Sequence, residues 1–445
     1  LFTMLESNDI SYDRPLDQSS DPVKPQIIHH GRLGNLSAHN AFIIHGRDKF
    51  KFKYSETFPL YIHLSVTGRC QARCQGCINS AFNATVNDSR SINNAPFKDT
   101  DPVRDAQCIV NLIKENTNQP ATICFYGGEP LLASDKLQAL IDNITKADLP
   151  HNVRYMLYTN GELLEKSMQS HPEMMRSIWL YSVSIDGTQI QHERIRRGTN
   201  LARIHAGLAA IKNIRQGQVL MWSTLREDQS LLDCFNEFAW LHERGLADQF
   251  FWHWVESGAP FAALAQYAAG YEKDLHHIMD IYVAKLNAGI LLPIIHINEL
   301  VLYLLTGKKR KSTACGVELA RNYDIVDGKI HSCADLPEQY SIGTIAADGT
   351  PNITPQDLSW LINYKNDLGC KKCGVHGYCG GRCPVQAVTG SIERLRQYCQ
   401  LMRLHVSIVN EYMDEIASAL ESHAITPQYI YDHSAFYVQF TDGTP

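Results

Sequence analysis

Tyr61-Ile62-His63-Leu64-Ser65-Val66 is followed by Thr67-Gly68-Arg69 and then by Cys70-Gln71-Ala72-Arg73-Cys74-Gln75-Gly76-Cys77. The first six residues read as a strand, and the cysteines sit in the loop just after it. Three thiols at spacings of four and three on one loop can hold three irons of a [4Fe-4S] cube and leave the fourth open to another ligand. A zinc knuckle is the competing reading, but zinc usually takes a fourth Cys or His nearby and none follows before His151.

Outward from this stretch, short β-rich runs alternate with helical patterns. Strands are predicted at 61–66, 122–126, 153–159, 180–185, 219–224 and 250–255. Between them apolar residues recur at helical spacing, as in Ala106, Ile109, Val110 and Ile113, or Leu137, Leu140, Ile141 and Ile144. Strand-helix alternation implies a parallel sheet with right-handed crossovers. The first four strands each end in a polar or glycine-rich signature, as the C-terminal rim of a barrel requires, so the expected fold is α/β, a partial (β/α)6 TIM-like barrel.

The chain has 445 residues, 44% hydrophobic and 20% charged, which suits two or three globular domains and excludes a disulfide-stapled mini-protein or a disordered chain. Lys+Arg at 41 against Asp+Glu at 47 gives a net charge of -6, with no basic run beyond Lys308-Lys309-Arg310-Lys311, so composition gives no argument for nucleic acid. No apolar run approaches the roughly 20 residues of a membrane span and no secretory signal opens the chain, so a cytoplasmic protein without membrane contact is expected. Of 13 cysteines, seven fall between Cys315 and Cys399. In a reducing compartment such clustering argues for metal or catalysis rather than disulfides.

Three more signatures follow in order: Gly127-Gly128-Glu129-Pro130 after the second strand, Tyr158-Thr159-Asn160-Gly161 after the third, and Ser184-Ile185-Asp186-Gly187 with His192-Glu193-Arg194-Ile195-Arg196 after the fourth. Together with Cx3Cx2C they resemble the radical S-adenosylmethionine (radical SAM) superfamily. One departure is Gly76, where that family usually has an aromatic residue before the third cysteine. The resemblance implies that Cys70, Cys74 and Cys77 bind a [4Fe-4S] cluster whose open iron takes SAM. It further implies that Gly127 and Gly128 let backbone approach the ligand, that Glu129 accepts from the methionine ammonium, and that Ser184 and Arg196 meet the ribose and carboxylate. Asn160 shapes the rim or touches SAM, and Asp186 touches SAM or organises its turn.

Further on stand Cys315, Gly328 and Cys333, then Cys370, Cys373, Cys379 and Cys383, and last Cys399. Seven thiols exceed what one tetrahedral metal uses, although short CxxC-like pairs also occur in zinc ribbons. The series is similar to the SPASM domain, an auxiliary-cluster module of radical SAM maturases. By that resemblance Cys370, Cys373, Cys379 and Cys399 hold one auxiliary [4Fe-4S] cluster, and Cys315, Cys333 and Cys383 hold three irons of a second, with His331 a candidate for the remaining iron. The cofactor set implied is SAM with three [4Fe-4S] clusters, one SAM-binding and two auxiliary. Cys108, Cys124 and Cys234 are left as small buried hydrophobes.

The run Phe251-Trp252-His253-Trp254-Val255-Glu256 sends alternate residues into the barrel, so either the tryptophans or His253 would meet a substrate, with core packing the simpler expectation. In sulfatase-maturing relatives an acid directly after the Gx4C cysteine acts as base. That place is Ala334 here, and Asp335, one further on, is the candidate proton acceptor. The expected division is an N-terminal extension with a hairpin at 1–57, the radical SAM barrel at 58–290, a helical bridge at 291–314, the SPASM region at 315–400, and a helix and tail at 401–445. By the resemblance, residues 1–57 are expected to be too short for the winged-helix element by which many such enzymes grip leader peptides. After Thr426 the chain is aromatic-rich and gives no pattern.

The expected function is modification of a ribosomally synthesised precursor peptide, forming a carbon-carbon, ether or thioether cross-link, with the cyclophane and darobactin-like maturases the nearest subgroup. A formylglycine-making maturase and a zinc-stabilised peptide-binding scaffold are the rivals. The resemblance also implies an external electron donor such as flavodoxin or ferredoxin.

Overall fold

The computed structural model describes residues 60–77, 99–116, 120–256, 259–310, 312–319, 322–354 and 356–441. The hairpin expected within 1–57 lies outside them. Six parallel strands form the centre: β1 (Leu60–Thr67), β2 (Ala121–Gly127), β3 (Val153–Thr159), β4 (Ile178–Ser184), β5 (Gln218–Leu225) and β6 (Gln249–Trp254). They pair in chain order, with α1 (Pro102–Glu115), α2 (Ser134–Thr145), α3 (Leu164–Ser170), α4 (Leu201–Lys212) and α5 (Leu231–Glu243) as crossovers. Parallel strands covered on both faces are almost continuously apolar, and β1, β5 and β6 are buried along nearly their whole length.

The crossover helices start where the sequence stops them fraying. Asp101 accepts from the amides of Val103 and Arg104 ahead of α1, Asn200 accepts from Arg203 N ahead of α4, and Ser230 accepts from Asp233 N ahead of α5. The predicted faces are the buried ones, Ala106, Ile109, Val110 and Ile113 on α1 and Leu137, Leu140, Ile141 and Ile144 on α2. Each such aliphatic side chain contributes about 1.5–3 kcal/mol on leaving water.

The sheet does not stop at β1. On its outer edge β7 (Asn322–Val326) pairs with β1 in parallel, setting Asp324 against His63. An antiparallel meander of β8 (Lys329–His331), β9 (Gly343–Ile345) and β10 (Pro351–Ile353) continues it, for the order β10-β9-β8-β7-β1-β2-β3-β4-β5-β6. The first part of the cysteine-rich region is thus an extension of the barrel sheet, a connection that periodicity could not reveal because these strands are three to five residues long.

After β6 come α6 (Leu264–Asn287) and α7 (Ile295–Thr306), separated around Pro293, and later α8 (Ile392–Glu411). The aromatic tail has a definite place. Its last turn, Ala435–Phe440, closes the mouth at the N-terminal ends of the strands. Phe440 packs edge-on against Trp179 at 4.8 Å and Tyr61 at 6.1 Å, while Tyr437 stacks on Trp179 at 5.9 Å. Tyr158 Oη donates to the Phe440 carbonyl at 3.2 Å.

Candidate active site

At the opposite, C-terminal mouth the loop carrying Cys70, Cys74 and Cys77 is pinned from three sides. Cys74 and Arg73 form a two-residue antiparallel ladder with Arg196 and Arg197, and Gln75 N donates to the Ile195 carbonyl at 2.9 Å. Arg226 Nε donates to the Gln75 carbonyl at 2.6 Å. Gly128 N and Glu129 N donate to the Thr67 and Arg69 carbonyls, both at 2.8 Å. A Cβ on Gly127 would stand 2.3 Å from the Thr67 carbonyl oxygen, and one on Gly128 2.2 Å from that of Arg69, so both positions require glycine. The backbone these glycines admit is that of the cysteine loop. Burial, then Glu129, then the neighbouring Cys74 and Cys77 push the Cys70 thiol up to about 12, so it keeps its proton at neutral pH unless a cation joins it.

Two buried carboxylates brace this rim. Glu129 is 0% exposed and accepts from Leu131 N at 3.1 Å, Thr159 Oγ1 at 2.8 Å and Asn160 N at 2.7 Å. Burial outweighs these bonds and lifts its pKa to about 7. It lies under the cavity wall, whereas Asn160 reaches the wall itself, accepts from Gln71 Nε2 at 3.1 Å and points Nδ2 to Cys70 Sγ at 3.9 Å. Asp186, also 0% exposed, receives Arg196 through two bonds of 2.8 and 3.1 Å, Arg226 Nη1 at 2.9 Å and Thr224 N at 2.9 Å. Burial alone would raise this carboxyl; the guanidiniums of Arg196 and Arg226 bring it down to about 2. His192, kept neutral by burial with its pKa down to about 4, accepts Asp186 N on Nδ1 and holds Thr199 Oγ1 on Nε2. Ser184 and Arg196 line the cavity.

The cavity, about 250 Å³, runs from Cys70, Cys74 and Cys77 across the barrel mouth to Cys315, Cys333 and Cys383. Thiols of the cysteine-rich region fall into two groups. Cys333 and Cys383 act electrostatically on each other or on Cys315, and Cys370 does so with Cys373, Cys379 and Cys399. Within the described residues no three His, Cys, Asp or Glu side chains stand close enough to grasp a single ion.

Residues 64–222 match the family model described as the Radical SAM superfamily. The chain carries a radical SAM domain. That domain brings with it SAM and a [4Fe-4S] cluster as cofactors. Among solved structures, native anSMEcpe with bound AdoMet aligns over 81% of this chain and 100% of its own, with TM-score 0.61 and 17% identity. Native anSMEcpe with bound AdoMet and Cp18Cys peptide aligns over 82% and 99%, with TM-score 0.59 and 16% identity. At that identity the likeness is one of fold. No curated protein matches the chain. Within the described residues no helix is long and apolar enough to cross a membrane.

Several residues at the mouth of the radical SAM domain escaped the sequence reading. Arg226 has no motif around it, yet its guanidinium ties the cysteine loop to Asp186. His63 Nδ1 stands 2.7 Å from Asp324 Oδ1, and Asp324 Oδ2 accepts from Ala334 N at 2.6 Å. His63, Asp324, Tyr126 and Asp335 share one wall of the cavity. The parallel register of β7 on β1 creates this pair, so only a signal for that strand could have found it. In β6 the barrel face carries His253, bonded to Thr224 Oγ1 at 2.9 Å, while Trp252 and Trp254 are 0% exposed in the outer core. Cys108, Cys124 and Cys234 are buried.

Proposed function

We propose that this radical SAM enzyme is a maturase that modifies side chains of a ribosomally made precursor peptide by forming a carbon-carbon, ether or thioether cross-link. The observation that carries the reading is that Cys70, Cys74 and Cys77 face the same cavity as Cys315, Cys333 and Cys383. A hydrogen-removing centre and an electron-accepting centre on one cavity suit a reaction that takes both hydrogens of an oxidation from one substrate. That a relative in fold has been seen with both AdoMet and a peptide supports a peptide substrate.

Cys70, Cys74 and Cys77 would hold the first cluster, and the two further thiol groups would hold auxiliary ones in a SPASM region. The donor set fits. In each group at least one thiol, Cys70, Cys333 or Cys370, is kept protonated by burial until a cation joins it, and cysteine thiolates are the ordinary ligands of iron-sulfur clusters. When bound, SAM and the cluster supply a 5'-deoxyadenosyl radical that takes a hydrogen atom from an unactivated carbon. Asn160, Ser184 and Arg196, which line the cavity wall, would hold SAM. Glu129 and Asp186, fully bonded within the protein, keep the Asn160 and Arg196 sides of that wall in place. His63, with Nδ1 2.7 Å from Asp324 Oδ1, and Asp335 on the same wall would be the groups that accept a proton. An external donor such as flavodoxin or ferredoxin would deliver the first electron.

A second reading draws on Asp324. The acid that sulfatase-type maturases keep directly after the Gx4C cysteine is Ala334 here, but the Asp324 carboxylate reaches the Ala334 amide from the next strand. That position is therefore acidic in space, which suits a formylglycine-making enzyme also. Co-expression with a precursor peptide encoded nearby, followed by mass spectrometry, separates the readings. The first expects loss of two hydrogens per link and fragments joined between residues; the second expects an aldehyde that reacts with hydrazide. Cys74→Ala is expected to abolish 5'-deoxyadenosine and product together. An unchanged yield in that variant, or zinc without acid-labile sulfide in anaerobically purified protein, refutes both.

A further inference from the structure

The two thiol groups of the cysteine-rich region sit in opposite electrostatic surroundings. Cys315, Cys333 and Cys383 share the cavity wall with Asp324, Asp335 and Glu256. The outer group is packed among cations. A Cβ on Gly380, next to Cys379, would stand 3.3 Å from Arg310 Cδ, and one on Gly381 would stand 2.6 Å from Lys365 Cε. Arg403 acts on Cys399. Some of these charges are answered locally, Arg310 by Glu299 and Lys365 by Glu318, yet the main charges outside the cysteines that act on Cys370, Cys379 and Cys399 are those of Lys365, Arg382, Arg310 and Arg403, whereas Cys333 and Cys383 meet Asp335, Asp324 and Glu256.

Arg382 stands at the boundary. It lies between Cys379 and Cys383 in the chain, is 3% exposed, and holds a left-handed backbone at φ +68, rare for a residue with a side chain. Its guanidinium donates to Glu256 Oε1 at 3.0 Å and lies over the Tyr398 ring at 4.5 Å and the Trp254 ring at 5.6 Å. Its charge reaches both Cys379 and Cys383, whereas that of Glu256 reaches Cys383.

We propose that this region is a charge gradient in which the outer group, beside Arg382, Lys365 and Arg310, holds a centre of higher reduction potential than the inner group beside Asp324, Asp335 and Glu256. A fixed positive charge favours the more negative, reduced form of a cluster and a fixed negative charge disfavours it. An electron given up at the cavity would first reduce the inner centre and then pass outward, re-oxidising the inner centre and reducing the outer one, with no bond made or broken in the transfer. Arg382 is a positioning residue here: it acts on the centres through space. The inference rests on the reading of the seven cysteines as ligands of two clusters.

The test is a redox titration of reconstituted full-length protein followed by electron paramagnetic resonance, with iron and sulfide quantified beside it. Cys399→Ala assigns the outer signal. The wild type is expected to show the outer centre at the higher potential. Arg382→Gln, and Lys365→Gln independently should the first variant fail to fold, is expected to shift the outer potential downward at unchanged iron content, and Arg382→Lys to restore it. Glu256→Gln is expected to raise the inner one and narrow the gap. Full iron content with equal, inverted or charge-insensitive potentials overturns the gradient. Iron sufficient for one cluster in the wild type overturns the ligand reading beneath it, and the gradient with it.

Discussion

The two mouths of the barrel are closed by opposite chemistry. At the C-terminal mouth the rim is tied by buried carboxylates, Glu129 to three donors and Asp186 to two guanidiniums and an amide. At the N-terminal mouth Tyr61, Trp179, Tyr437 and Phe440 close it with aromatic rings. The difference teaches where adaptability is placed. A buried charge network is directional and fixes the wall around a polar cofactor to one geometry, at the cost of desolvation; an aromatic plug is nearly non-directional and excludes water.

Substitutions at the two mouths should therefore fail differently. Asp186→Asn leaves Arg196 and Arg226 buried without the one carboxylate they share, and is expected to lower stability by roughly 4 kcal/mol and to loosen the cysteine loop, read as a lower denaturation midpoint together with loss of iron. A variant that loses stability but keeps its iron would uncouple this hub from the loop. Phe440→Ala at the other mouth should cost roughly 3 kcal/mol by leaving a hole against Trp179 and Tyr61, with iron binding retained. Iron loss there would erase the contrast between the mouths.

The pH dependence sharpens the same comparison. Asp186 is held below its unfolded value, so its contribution is present above about 3.8 and fades as pH falls through about 2, on the order of 2 kcal/mol in all. Glu129 is raised from 4.5 to about 7, so the folded protein binds the extra proton and stability falls as pH rises across that window. The slope is at most about 1.4 kcal/mol per pH unit. Denaturation midpoints measured from pH 4.5 to 7.5 should flatten in Glu129→Gln; an unchanged slope would place the titration elsewhere.

Much of the upper mouth was legible in the sequence and little of the lower. Cys70, Gly127, Asn160 and Asp186 are each ordinary at a strand end, where Gly, Asn and Asp make turns, but the cysteine spacing and the order of the four signatures on successive strands made them legible together. Arg226 lacks that advantage, since one arginine after a strand is ordinary until its partners are known. Phe436, Tyr437 and Phe440 look like any apolar tail, because aromatic packing leaves no spacing rule in a short turn.

The sequence by itself determined the parallel strands, the crossovers between them and the thiols on the first loop. It did so because strand and helix periods and metal-ligand spacing are local, set by neighbours along the chain. Only the tertiary structure decided that β7 extends the sheet beyond β1, that Asp324 stands against His63 and Ala334, that Glu129 and Asp186 are walled in, and that Arg382 meets Glu256 and the Trp254 and Tyr398 rings. Those are meetings of residues from about ten to hundreds of positions apart, fixed by packing and by the desolvation of charge, and neither leaves a mark on the order of residues.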